Sequence, residues 1–112
     1  MLEEAPSGPP QEIVVKAMGS EAMKITWMPP ADEHKNGLIQ GYYIGYKKTS
    51  SPARFIYIPK VVGPDFKPEH TLHNLEKFTE YSIHIQAYNK KGRGPSSPDF
   101  NVFTLEDGML IL

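Results

Sequence analysis

The sequence predicts an all-β fold: a seven-stranded sandwich of two antiparallel sheets packed face to face. Three observations carry that expectation. Apolar and polar residues alternate with a period of two in segment after segment, as strands with one buried face require. Eleven prolines and nine glycines among 112 residues lie largely between those segments, where tight turns need a fixed or a positive φ. No segment carries a helical apolar period.

The elements follow in order. Residues 11–17 (QEIVVKA) put Ile13 and Val15 on one face. Residues 22–28 (AMKITWM) put Met23, Ile25 and Trp27 on one face, opposite Lys24 and Thr26. Pro29-Pro30 ends that strand, because proline has no amide hydrogen to give a ladder. Asn36-Gly37 marks a turn, both residues tolerating positive φ. Residues 41–48 (GYYIGYKK) alternate Tyr42, Ile44 and Tyr46 against Tyr43, Gly45 and Lys47. Residues 54–58 (RFIYI) are short and rich in strand formers. Pro59, Gly63-Pro64 and Pro68 punctuate a connection over 59–69, and 70–75 (HTLHNL) form a weaker strand that runs into a turn. In 81–89 (YSIHIQAYN), Tyr81, Ile83, Ile85 and Ala87 point inward and Ser82, His84 and Gln86 outward. Residues 99–105 (DFNVFTL) supply the last strand. The predicted core is Trp27, Tyr42, Ile44, Tyr46, Leu75, Tyr81, Ile83 and Ile85. Trp27, the single tryptophan, is its central plug. Tyr81 opens its strand just after a turn, where a buried ring can send its hydroxyl to a backbone group a few residues upstream.

Composition bounds the function. A chain of 112 residues supports one domain with one core. A net charge of −1 does not call for nucleic acid or an anionic membrane as partner. The absence of cysteine excludes a disulfide framework, a thiolate metal site and a cysteine nucleophile. No apolar run approaches the ~20 residues of a membrane-spanning helix, and the first ten residues have no hydrophobic signal region. Residues 1–5 read as an extension of a fragment, 6–107 as a domain with linker ends, and 108–112 (GMLIL) as an apolar tail of unassigned origin. The proline-rich run 6–10 has the composition of a short stiff linker.

Candidate sites are few. The basic loop 89–96 (NKKGRGPS) lacks the Gly-Lys-Ser/Thr ending and the following helix of a phosphate loop, and Arg93-Gly94 is followed by Pro95 rather than aspartate. It reads chiefly as a turn whose Lys90, Lys91 and Arg93 stay solvated, with a protein contact as the functional alternative. His34, His70, His73 and His84 lack ligand spacing, so no metal is expected; His70 and His73 fall on opposite faces of a strand, and His84 reads as surface. Asp32-Glu33 sit in a loop with no nucleophile–base pair, so no catalytic site and no cofactor are expected. Tyr43 points away from the core, with Tyr57 and Tyr88 as potential neighbours. Such a cluster suits either cross-strand packing or a protein contact. No Asn-X-Ser/Thr sequon occurs to shield that face.

Trp27, Pro29-Pro30, Asn36-Gly37, Ile39, Gly41-Tyr42, Ile44 and Tyr46 form one run of a pattern. Leu75, Thr79, Tyr81, Ile83, Ile85, Ala87, Asn89, Gly92, Gly94-Pro95 and Ser96 form the other. Together they resemble a fibronectin type III domain over 6–106. That resemblance implies an immunoglobulin-like sandwich with three strands in one sheet and four in the other. The pattern usually has proline where this chain has Lys77 and a small residue where it has Phe78, which bears on the tightness of that turn. GYYIGYKK, LEKFTEY, QAYNKKGRGPSS and TLED further resemble repeats of the Down syndrome cell adhesion molecule family of neuronal receptors. The implied role is a non-catalytic extracellular module of a single-pass type I membrane protein, a spacer with contact surfaces in neuronal cell recognition. Its partners would be neighbouring immunoglobulin or fibronectin type III domains of the same chain, and a homophilic or lateral protein partner. A ligand-binding module of cytokine-receptor or matrix type, or a cytosolic structural repeat, is the alternative that flanking sequence would separate.

Overall fold

The structure is a computed structural model that describes residues 4–106. The readings for 1–3 and for 107–112, the GMLIL tail included, lie outside the described residues. Alternating β-branched and aromatic residues form eight strands there: β1 (Gln11–Ala17), β2 (Met23–Met28), β3 (Gly41–Lys48), β4 (Ile56–Val61), β5 (Glu69–Leu72), β6 (Glu80–Asn89), β7 (Gly92–Arg93) and β8 (Phe100–Phe103). One sheet has three strands in the order β1-β2-β5. The other has five: β4-β3-β6, with β7 and β8 both along the free side of β6. Every pairing is antiparallel. The sandwich is the expected class.

The count of eight rather than seven has a local cause. β7 and β8 are one edge line, interrupted where Pro95 and Pro98 have no amide hydrogen for the ladder. Between them the chain still follows β6, with Gly94 N donating to Ala87 O at 2.8 Å and Ser97 N to Ile85 O at 2.9 Å. Other boundaries shift too. β4 begins two residues later than expected and runs through Pro59, because it is the outermost strand of its sheet and an edge tolerates a missing donor. β5 stops at Leu72, short of the expected Leu75, and Asn74 then turns the chain at φ 59°. Residues 32–35, expected as loop, make one helical turn, α1 (Asp32–Lys35), which Asn36 ends in the left-handed region at φ 53°. An Asp32–Lys35 ion pair of 2.8 Å spans that turn, and the lysine holds the Asp32 carboxyl below its ordinary range.

The core lies between the sheets. Trp27, Tyr42, Ile44, Leu75, Tyr81, Ile83 and Ile85 are buried there, and Tyr46 is half-buried against them. Met23, Ile25, Ile39, Leu72 and Ala87 complete it. Trp27 meets Tyr42 edge-on at 5.4 Å, and Phe66 stacks on Tyr42 at 5.8 Å, closing the core beneath the β4–β5 connection. At the Lys77–Phe78 turn, where the family pattern has proline and a small residue, Phe78 adopts φ 43° and lies exposed against Phe103 at 5.7 Å.

Candidate functional site

The alternation that sends Tyr42, Ile44 and Tyr46 inward sends Tyr43, Gly45 and Lys47 to the outer face of the five-stranded sheet. Register then fixes their neighbours. Tyr43 stands between Pro59 of β4 and Gln86 of β6, and Gly45 between Tyr57 and His84. Gly41 stands opposite Tyr88. The two outward glycines leave troughs that rings from the adjacent strands fill. A Cβ at Gly45 would stand 2.7 Å from Tyr57 Cε1 and from His84 Nε2, and one at Gly41 would overlap the Tyr88 ring. The outcome is a flat aromatic surface.

Its members are held by specific contacts. Tyr43 and Tyr88 meet with ring centroids 4.9 Å apart. The Arg93 guanidinium lies 4.2 Å over the Tyr43 ring and 6.0 Å from Tyr57, within cation–π range. Farther along, Lys47 Nζ lies 5.6 Å over Phe55, and Phe55 packs on His84 at 4.3 Å. His84 Nδ1 bonds Asp99 Oδ1 at 3.0 Å, and its Nε2 bonds the Tyr57 hydroxyl at 2.9 Å. This chain fixes the Tyr57 ring, whose residue is 42 % exposed.

His84 corrects a sequence reading. Alternation places it on the outward face, as expected, yet it is 7 % exposed rather than surface. Alternation reports which face a side chain takes, not whether rings of the next strand cover it. The signal for that cover was the outward glycine opposite it. Arg93 and Tyr43 are brought together. Lys90 and Lys91 are not grouped with them: they form the two-residue turn between β6 and β7, exposed at its tip, with Gly92 supplying φ 139°. His70 lies in β5 and His73 past its end. Burial, with help from Lys60 and His73, pulls the His70 imidazole below its ordinary value. No group of three or more metal-ligating side chains is present among the described residues.

A second cluster was missed from sequence, at the pole where the chain comes in. Asn89, 5 % exposed, donates from Nδ2 to Glu4 O at 2.7 Å and Lys35 O at 3.1 Å, and its Oδ1 accepts from Lys91 N at 2.8 Å. Ser7 N donates to His34 O at 2.8 Å, and Asn36 Nδ2 to Ala5 O at 3.0 Å. Residues 4–7, from the end of the expected extension into the expected stiff linker, are thus tied to α1 and to the β6–β7 turn.

The family model for the fibronectin type III domain matches residues 8–103. The chain is 41 % identical over 106 residues to cell adhesion molecule DSCAML1 of Gallus gallus, covering 94 % of this chain and 5 % of that protein. It is 40 % identical over 108 residues to cell adhesion molecule DSCAM of Homo sapiens, with the same coverage of each. The chain therefore spans about one-twentieth of the length of these relatives. Among solved structures it is similar to the chicken CNTN1 FN1-FN3 domains, with a TM-score of 0.77 and 25 % identity over 92 % of this chain and 33 % of that one. The strand order, the buried Trp27, the hydrogen bond that Glu76 N donates to the Tyr81 hydroxyl at 2.8 Å and the matched family model agree: this chain belongs to the fibronectin type III domain family.

Proposed function

We propose that the chain is a non-catalytic module of a cell-adhesion receptor, displayed outside the cell on a single-pass type I membrane protein. In this reading it spaces neighbouring immunoglobulin or fibronectin type III domains of the same chain. It also presents the outer face of the five-stranded sheet, centred on Tyr43 and Arg93, as a protein contact, with Lys90 and Lys91 at the rim. The observation that carries the reading is the similarity, at about 40 % identity over nearly the whole chain, to cell adhesion molecules. The absence of any nucleophile–base pair in the sequence reading supports a binding role over a catalytic one.

Display is tested with an antibody raised against this domain, applied to cells that express the native parent. Staining of intact cells is expected; staining only after permeabilisation would overturn the extracellular placement. Self-contact is tested by sedimentation equilibrium of the chain with and without residues 108–112. A monomer in both forms leaves homophilic recognition to other domains. A dimer that survives removal of the tail and weakens with Tyr43→Ala or Lys91→Glu assigns it to this module.

A further inference from the structure

We infer that the outer face of the five-stranded sheet binds a protein segment presenting carboxylates beside apolar or aromatic side chains. The inference rests on reading this face as a contact surface and adds the chemistry of its partner. Lys24 is near Glu69, Lys35 meets Asp32, Lys48 meets Glu76 and Lys77 is near Glu21. The two cations on the aromatic face, Arg93 and Lys47, are held instead by rings and by amide or carbonyl oxygens. Arg93 has the two tyrosine rings and one long hydrogen bond to Gln86 Oε1 at 3.5 Å. Lys47 has the Phe55 ring and the Ser51 carbonyl at 2.9 Å. Asp99, a carboxylate beside the rings of this face, is engaged by His84.

A guanidinium resting flat on an aromatic ring keeps its edge N–H groups free for a carboxylate, and the ring beneath supplies apolar area at no further ordering cost. Tyrosine and arginine are enriched among the residues that carry most of the binding energy at protein contacts. The platform is also preorganised. Gly41 and Gly45 keep it flat, and Asp99 and His84 hold Tyr57 in place, so binding does not have to order those rings. Two cations spaced along an aromatic surface suit a mixed acidic and apolar protein segment better than a sulfated glycan, which draws on dense basic clusters.

The test uses the whole chain, isotope-labelled, with Arg93 side-chain N–H and tyrosine ring signals followed by NMR. The probe is a capped octapeptide alternating glutamate and tyrosine; its controls are the glutamine–tyrosine counterpart and a heparin octasaccharide. The glutamate peptide is expected to shift Arg93, Tyr43 and Tyr57 saturably, while the glutamine peptide leaves them in place. Arg93→Glu should weaken binding about tenfold or more, and Arg93→Lys, which keeps the charge but loses the planar fork, by less. Both variants change an exposed side chain, and an unchanged amide spectrum elsewhere confirms the fold. Equal response to both peptides, no response to the acidic peptide, or response to heparin alone overturns the inference. So does a shift of the same signals with protein concentration alone, which would assign the face to a second copy. A silent acidic peptide alongside dimerisation weakened by Tyr43→Ala would sink this partner chemistry and leave the contact reading standing.

Discussion

The Tyr81 hydroxyl accepts a hydrogen bond from Glu76 N at 2.8 Å, five residues upstream, and so fixes the turn that carries the chain between the sheets. Removing that oxygen leaves the amide without its acceptor while the ring packs as before. Tyr81→Phe should therefore cost about 1–2 kcal/mol in urea unfolding, with an unchanged m-value. Thr104 does a related job at the same pole. Its buried Oγ1 donates to Glu76 O at 2.6 Å and accepts from Thr79 N at 2.9 Å, joining the last strand to the turn. Thr104→Val keeps the volume and loses both bonds, so a loss of about 1–3 kcal/mol is expected by the same measurement. His70 gives a pH dependence. Its folded value lies below the ordinary 6.5 because burial, then Lys60 and His73, disfavour the charged ring. The unfolded chain consequently binds more protons in the window below about pH 6.5. This contribution is complete above that pH and is lost as pH falls toward the folded value. Thermal midpoints taken at about pH 7.5 and about pH 5.5 should fall toward acid, and His70→Gln should shrink the fall.

At the scale of the element, β3 organises the sheet and its aromatic outer face together. It pairs with both β4 and β6, so each outward position faces two neighbouring strands. Where that position is glycine, rings from both sides close over it. Gly45→Ala would push Tyr57 and His84 apart and should cost about 1–3 kcal/mol by overpacking, read as a lower urea midpoint. Near-ultraviolet dichroism of the tyrosines should change with it. Much of this was legible in the sequence, because period-two alternation in residues 41–48 and 81–89 states which residues are core and which are outward. Strand ends were less legible. Pro59 stops a central strand but not an edge strand, and only the sheet order says which β4 is. Pro95 and Pro98 break an edge line without ending it, since Gly94 and Ser97 still reach β6. The cover over His84, the bonds of Thr104 to Thr79 and Glu76, and those of Asn89 to Glu4 and Lys35 depend on residues 25–85 positions away along the chain, which local pattern does not encode.

For the whole molecule, the N-terminal pole is the place where three distant segments become one body. Residues 4–8 lie against α1 and the β6–β7 turn, with Gly94 so close to Pro6 that a Cβ there would stand 2.8 Å from the Pro6 Cβ. Asn89 is the shared joint, since one amide group serves the carbonyls of Glu4 and Lys35 while its oxygen holds the turn at Lys91. A run fastened in this way is held to the sandwich at several points along its length. Fastening and folding are separable, because the core between the sheets does not include Asn89, whereas the run that carries the Ser7–His34 bond is tied to it at Glu4. Asn89→Ala should thus cost about 1–3 kcal/mol in global stability through the carbonyls and amide it leaves unserved. Hydrogen exchange is the sharper measurement. The Ser7 amide should exchange faster by a larger factor than the central amides of β6, which open only with the whole sandwich. Equal acceleration at both places would mean that the N-terminal run and the sheets unfold as one unit, and that Asn89 acts on stability alone.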